Sequence, residues 1–181
     1  MDTFIAFDQA LACSGVAVYS DSKIVASQIR TNTKEDIGAR LLYLESYIIT
    51  TFSIYPKKVF YEYVYPGSYT PFESIKVLGL LEKIISQNKL PSRCFRSSSK
   101  EKRSGNSWRG LLSLSSDKKD LQAKLGLVGK ANHNICDAIG ILGAGLLEEG
   151  IISIPNDLYH IPVEVSYVRE PQSFCKLIKG I

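Results

Sequence analysis

The sequence predicts an α/β domain: a five-stranded mixed sheet, made of an antiparallel meander plus two parallel strands, flanked by helices and followed by a C-terminal extension. Three observations carry this. The chain opens with three short apolar or β-branched runs separated by tight polar breaks. Two more such runs follow, alternating with longer stretches of helical period. At 181 residues, 45% hydrophobic and 22% charged, the chain can bury one ordinary core.

Taken in order, Phe4, Ile5, Ala6 and Phe7 form an apolar run that ends at Asp8 and reads as a buried strand. Residues 14–19 read as a second strand, and Asp21-Ser22 as the two-residue turn into a third over 23–29. Ile37, Leu41, Leu44, Tyr47 and Ile48 mark one face of a helix over 34–52. A strand over 57–63 holds Glu62 near its end. A helix starting at Thr70 or Ser74 runs to Asn88 on the stripe Ile75, Leu78, Leu81 and Ile85, and 93–96 is a short strand. Residues 97–116 are rich in Ser, Gly, Lys and Arg and read as a long loop. A short helix follows to Leu125, with Ser116 as its N-cap. The last core helix spans 132–149 and buries Ile135, Ala138, Ile139, Leu142 and Leu146. Residues 1–150 thus form one domain, and the apolar, Pro-punctuated segment 151–181 reads as strands or an extended arm, an extension of unassigned role.

The net charge is +4, but between Arg93 and Lys130 ten basic residues face only three acids. Such a concentration suits a polyanionic partner, and equally a solvated loop. No apolar run is long enough to span a bilayer, and the N-terminus does not read as a signal peptide. Cys13, Cys94, Cys136 and Cys175 lack zinc-ligand spacing and read as reduced thiols of a cytoplasmic protein, an organelle matrix being the other setting.

Three acids sit in apolar surroundings: Asp8 at the end of its strand, Glu62 among aromatic residues, and Asp137 between Cys136 and Ala138. No Arg or Lys adjoins them in sequence as an obvious partner. Buried carboxylates repel one another unless a cation neutralises them, and hard oxygen ligands suit Mg²⁺ or Mn²⁺. Singly, each acid is as well explained as a turn former, a solvent-facing residue or a local cap. Together they point to a metal site.

The run Ile5-Ala6-Phe7-Asp8, with Gly15 in the second strand, the strand Phe60-Tyr61-Glu62-Tyr63-Val64-Tyr65, and the helix start Asp137-Ala138-Ile139-Gly140 resemble the RuvC family of Holliday junction resolvases. The likeness is to compact phage- and virus-type members and covers roughly residues 3–148. It implies an RNase H-like fold and a Mg²⁺-dependent crossover junction endodeoxyribonuclease acting in recombination and repair. It further implies two ions per site, with Mn²⁺ as a substitute, and a homodimer that nicks opposite strands of a four-way DNA junction. Asp8, Glu62 and Asp137 match the family's metal ligands. The family carries Asp or His where this chain has Asn134. Three readings stand open: Asn134 as a weak neutral ligand, His133 in its place, or an Asp→Asn replacement that inactivates the enzyme.

The resemblance also assigns Lys119 to the scissile phosphate, with Lys118 as substitute, and Lys100 or Lys102 as a second such lysine. Tyr65 matches an aromatic residue that inserts at the junction centre, with a core or interface position as the equal alternative. Arg103, Trp108 and Arg109 of the long loop are expected to meet the DNA backbone. Two other functions stay open: an RNase H-like nuclease on RNA or RNA–DNA hybrids, and a non-catalytic DNA-binding module that has lost a metal ligand. The helix after the Glu62 strand is expected at a two-fold interface, since an edge helix would leave its stripe wet.

Overall fold

The computed structural model describes residues 2–64, 72–96, 107–115, 117–167 and 170–180. Strands β1 (Phe4–Asp8), β2 (Cys13–Ser20) and β3 (Lys23–Arg30) form the meander. The chain continues through helix α1 (Ile37–Phe52), β4 (Lys58–Tyr63), α2 (Phe72–Gln87) and β5 (Ser92–Arg96). Then come α3 (Trp108–Leu111), α4 (Lys118–Lys124), α5 (His133–Glu148), a 3₁₀ segment Pro155–His160, β6 (Val163–Ser166) and α6 (Pro171–Lys179).

The sheet has six strands in the order β5-β4-β1-β2-β3-β6. β1–β2 and β2–β3 are antiparallel, whereas β1–β4, β4–β5 and β3–β6 are parallel. The meander turn is the expected Asp21-Ser22, both at positive φ (51° and 61°), the conformation that matches a two-residue hairpin to strand twist. The sixth strand corrects the expected five. Residues 163–166 pair in parallel with β3, starting at Ile24↔Val163, so part of the C-terminal segment extends the sheet. Alternation along so short a strand is weak, and Pro162 before it gives no strand signal.

Side chains alternate between two cores. Phe4, Ala6, Ala17, Phe60 and Phe95 face the layer of α5, α3, α4 and the 3₁₀ segment. Ile5, Phe7, Val18, Val59 and Tyr61 face α1, α2 and α6. α6 packs on α1, with Phe174 fully buried and its ring 6.3 Å from that of Tyr47. α5 is buried well beyond its predicted stripe, through Gly140, Ile141, Gly143 and Ala144, because α3, α4 and the 3₁₀ segment cover its outer side.

Several boundaries differ from expectation. α1 begins later, at Ile37, because Asp36 accepts from the Ala39 amide and caps it. Asp117, not Ser116, caps α4 by accepting from the Lys119 amide. The segment expected to be loop throughout contains α3, capped by Ser107. The apolar stripe of α2 (Val77, Leu78, Leu81, Ile84 and Ile85) is buried within the protomer. That removes the wet stripe as an argument for an interface through α2.

Candidate functional site

The parallel register of β1 and β4 runs from Phe4↔Lys58 to Phe7↔Tyr61, which makes Asp8 and Glu62 the next neighbours along the two strands. They share the parity of Ala6 and Phe60, so both belong to the sheet face that α5 covers. Asp8 also pairs with Gly15 across β2. There α5 comes down on the sheet: a Cβ on Gly15 would lie 1.9 Å from the carbonyl oxygen of Asn134 and 3.1 Å from the Ala138 Cβ. Asp8, Glu62 and the first turns of α5, which carry Asp137, therefore lie at one end of one face, at the carboxyl ends of β1 and β4. Open α/β sheets bind ligands at such ends.

Helix α3 closes this end. The Trp108 Nε1–H donates to Glu62 Oε1 at 3.0 Å, and Arg109 Nη2 donates to Asp137 Oδ1 at 2.7 Å. Arg109 is only 4% exposed, and its guanidinium lies 4.4 Å from the Trp108 ring centroid. Trp108 itself rests against Gly140, where a Cβ would stand 2.3 Å from the ring. Two consecutive residues of a single turn thus hold two of the three acids.

This corrects two expectations. Asp137 has a basic partner, brought in by the fold rather than by sequence proximity. Trp108 and Arg109, both expected on the DNA-facing surface, are instead buried, Trp108 against Glu62 and Gly140 and Arg109 against that carboxylate. One signal was available for Trp108: it is the chain's one tryptophan, set in a polar stretch where a solvated loop has little use for it.

Gln9, 93% buried, ties the strand ends together by donating from Nε2 to the Glu62 carbonyl. Its Oε1 and the Nη1 of Arg109 are buried without a hydrogen-bond partner among the described residues. Asn134 donates from Nδ2 to the Cys13 carbonyl at 2.8 Å, which straps the start of α5 to β2. Asn132 caps α5 by accepting from the Ile135 amide at 3.0 Å and also donates to Gln28 Oε1. His133 is exposed at the first position of α5, and Lys119 is exposed in the first turn of α4. Tyr65, Lys100, Lys102, Arg103 and the side chain of Lys118 lie outside the described residues.

Burial, with the charge of Asp137 adding to it, pushes the Cys136 thiol up to about 11. Cys94 is pushed up to about 12, by burial first and by Glu82 next. Both stay neutral thiols at physiological pH.

Among the described residues no group of three or more His, Cys, Asp or Glu side chains stands together as a ready metal cage. The donor chemistry nonetheless fits a divalent cation. Hard carboxylate oxygens come from adjacent strand ends, a third carboxylate sits on the helix above, and a guanidinium already serves as a stand-in cation on that third carboxylate. A cleft of about 570 Å³ between Arg30, Asn32, Tyr43 and Tyr167 opens at the same sheet end but beside β3, on the far side of β2.

No protein-family model matches the chain, and no curated protein matches it significantly. Solved structures do. The RuvC of Thermus thermophilus in complex with a Holliday junction substrate matches at TM-score 0.61 and 13% identity, over 83% of this chain and 97% of that one. A second Thermus thermophilus RuvC structure matches at TM-score 0.55 and 13% identity, over 82% and 96%. The fold of this chain is therefore the RuvC-type, RNase H-like α/β fold.

Proposed function

We propose that the chain is a divalent-metal-dependent endonuclease that resolves four-way DNA junctions. The observation that carries this reading is the register of Asp8 and Glu62 on adjacent parallel strands, beneath the helix that bears Asp137. A divalent cation held by these three residues would polarise the scissile phosphodiester and lower the pKa of the attacking water. Mg²⁺ suits the oxygen donors, with Mn²⁺ as substitute, and a substrate phosphate would add the charge for a second ion.

The chain's own residues orient these groups. Gln9 fixes the end of β4 relative to β1, and Asn134 fixes the start of α5 on β2. Lys119, on the adjoining α4, is the candidate donor to phosphate. Apart from the buried Arg109, the basic residues between Arg93 and Lys130 supply backbone attraction, and Tyr65 an aromatic surface at the junction centre. Symmetric cutting needs two sites, so the working unit is a homodimer. The buried residues of α2 do not mark its interface. Among the described residues no helix is long and apolar enough to cross a membrane, and all four cysteines are free, as a reducing compartment requires.

The test is a substrate panel: four-way junction, linear duplex and RNA–DNA hybrid of matched sequence, each with Mg²⁺ and with chelator. The reading expects metal-dependent nicks placed symmetrically in the junction, with a 3′-hydroxyl and a 5′-phosphate. Preferential cutting of the hybrid favours an RNase H-like activity instead. Junction binding with no cutting of any substrate in either metal favours a non-catalytic DNA-binding module.

A further inference from the structure

We infer that Arg109 is the resting counter-ion of this site, and that Asp137 and Glu62 give up Arg109 and Trp108 when the divalent cation loads. The inference rests on the metal reading above and adds how the site is held before the ion arrives.

The geometry shows both acids engaged from one short element. Arg109 donates to Asp137 at 2.7 Å, and its neighbour Trp108 donates to Glu62 at 3.0 Å. Because the two donors are consecutive, moving one moves the other. The guanidinium is also incompletely satisfied: Nη2 bonds the carboxylate, but Nη1 is buried with no partner among the described residues. A two-pronged Arg–carboxylate fork would be tighter and harder to exchange. A half-used guanidinium at 4% exposure carries unmet desolvation, which lowers the cost of releasing it.

Charge points the same way. Arg109 offsets one of the three negative charges that Asp8, Glu62 and Asp137 bring. Releasing Arg109 and adding one phosphate makes the site more negative by two charges, which favours a divalent ion. Arg109 therefore acts as a positioning residue that lowers affinity for the ion in the free protein and ties full loading to arrival of the nucleic acid. A cation and a guanidinium competing for one carboxylate make this antagonism unavoidable in sign.

Trp108 makes the exchange visible, because the chain's single tryptophan loses a carboxylate partner when Glu62 turns to the ion. The experiment titrates Mg²⁺ into the full chain without DNA, following Trp108 emission and, in parallel, heat. The parent should show one saturable emission change with the same midpoint as the heat. Arg109→Met should bind at about tenfold lower Mg²⁺, while Arg109→Lys, which keeps the charge, should stay within about threefold of the parent. Equal midpoints for Arg109→Met and the parent, or saturable heat with no change in Trp108 emission, overturn the inference and leave the metal reading standing. No heat in any sequence at millimolar Mg²⁺ overturns the metal reading itself, and the inference with it. Should Arg109→Met fail to fold, the parent's emission against heat decides alone.

Discussion

Arg109 and Asp137 form an ion pair at 2.7 Å between side chains 5% and 17% exposed, across two helices 28 positions apart. The helix that covers the acids is therefore also the one that neutralises an acid. Without metal, Arg109→Met should cost about 3 kcal/mol, because it takes the guanidinium partner from a mostly buried carboxylate. Adding Asp137→Leu to that variant should restore most of the loss. Urea unfolding of both single variants and the double variant measures the coupling. Additive losses would show that the pair does not act as a unit.

The approach of α5 to β2 leaves no room at Gly15, where a Cβ would lie 1.9 Å from a backbone oxygen. Gly15→Ala should destabilise by roughly 1–3 kcal/mol as the helix is pushed off the sheet. Gly79 in α2 is the control, since a Cβ there meets nothing within 4 Å. Gly79→Ala should be neutral or stabilising by up to about 1 kcal/mol, through helix propensity alone. Thermal melts should show Gly15→Ala lowered and Gly79→Ala unchanged or raised.

Asn134→Asp should separate stability from activity. The amide donates to the Cys13 carbonyl at 2.8 Å, and a carboxylate there loses the donor and faces an acceptor. Metal-free stability should fall by about 1–2 kcal/mol. Cleavage with Mg²⁺ should nevertheless rise, since a fourth carboxylate on the first turns of α5 helps balance two ions. DNA binding should change little, because it rests on phosphate contacts. Single-turnover rates of the parent, Asn134→Asp and His133→Ala decide. A large loss in His133→Ala alone would assign the ligand role to His133.

Cys94 and Cys136 should resist alkylation in the folded protein. Their thiols are pushed up to about 12 and about 11 by burial, so at pH 8 only about a thousandth of Cys136 is thiolate. Folded pKa values above the ordinary 9.0 mean that the native state keeps these protons longer than the unfolded chain. Their contribution to stability is thus whole below pH 9 and is lost as pH rises from 9 through 11 and 12. The alkaline loss should be smaller in a Cys94→Ala, Cys136→Ala double variant. Mass spectrometry after iodoacetamide, with and without denaturant, checks the protection.

Much of the sheet is legible in the sequence because its strands announce themselves. The β1–β3 meander alternates cleanly around Asp21-Ser22, and Asp8 and Glu62 stand out as charges inside apolar runs. The place of β6 is not legible, because four residues after a proline carry too little period to fix a strand or its partner within an extension that reads as strands or an extended arm. The depth to which α5 is buried is not legible either, since its outer glycines meet partners such as Trp108 and Leu158 only through tertiary packing. The Trp108–Glu62 and Arg109–Asp137 contacts were missed for a related reason. They span 46 and 28 positions, and a four-residue helix inside a polar segment gives no amphipathic signal.

The central claim is that Asp8 and Glu62, neighbours in register on β1 and β4, act as one cation-holding unit in DNA cleavage. The most direct test is the single-turnover cleavage rate of a four-way junction in Mg²⁺ for the parent, Asp8→Asn, Glu62→Gln and the double variant, each checked for folding by melting. The account predicts that each single variant loses about a thousandfold or more, and that the double variant loses little beyond either single one, as residues of one unit do. A single variant that cuts within about tenfold of the parent, or losses that multiply in the double variant, would contradict it.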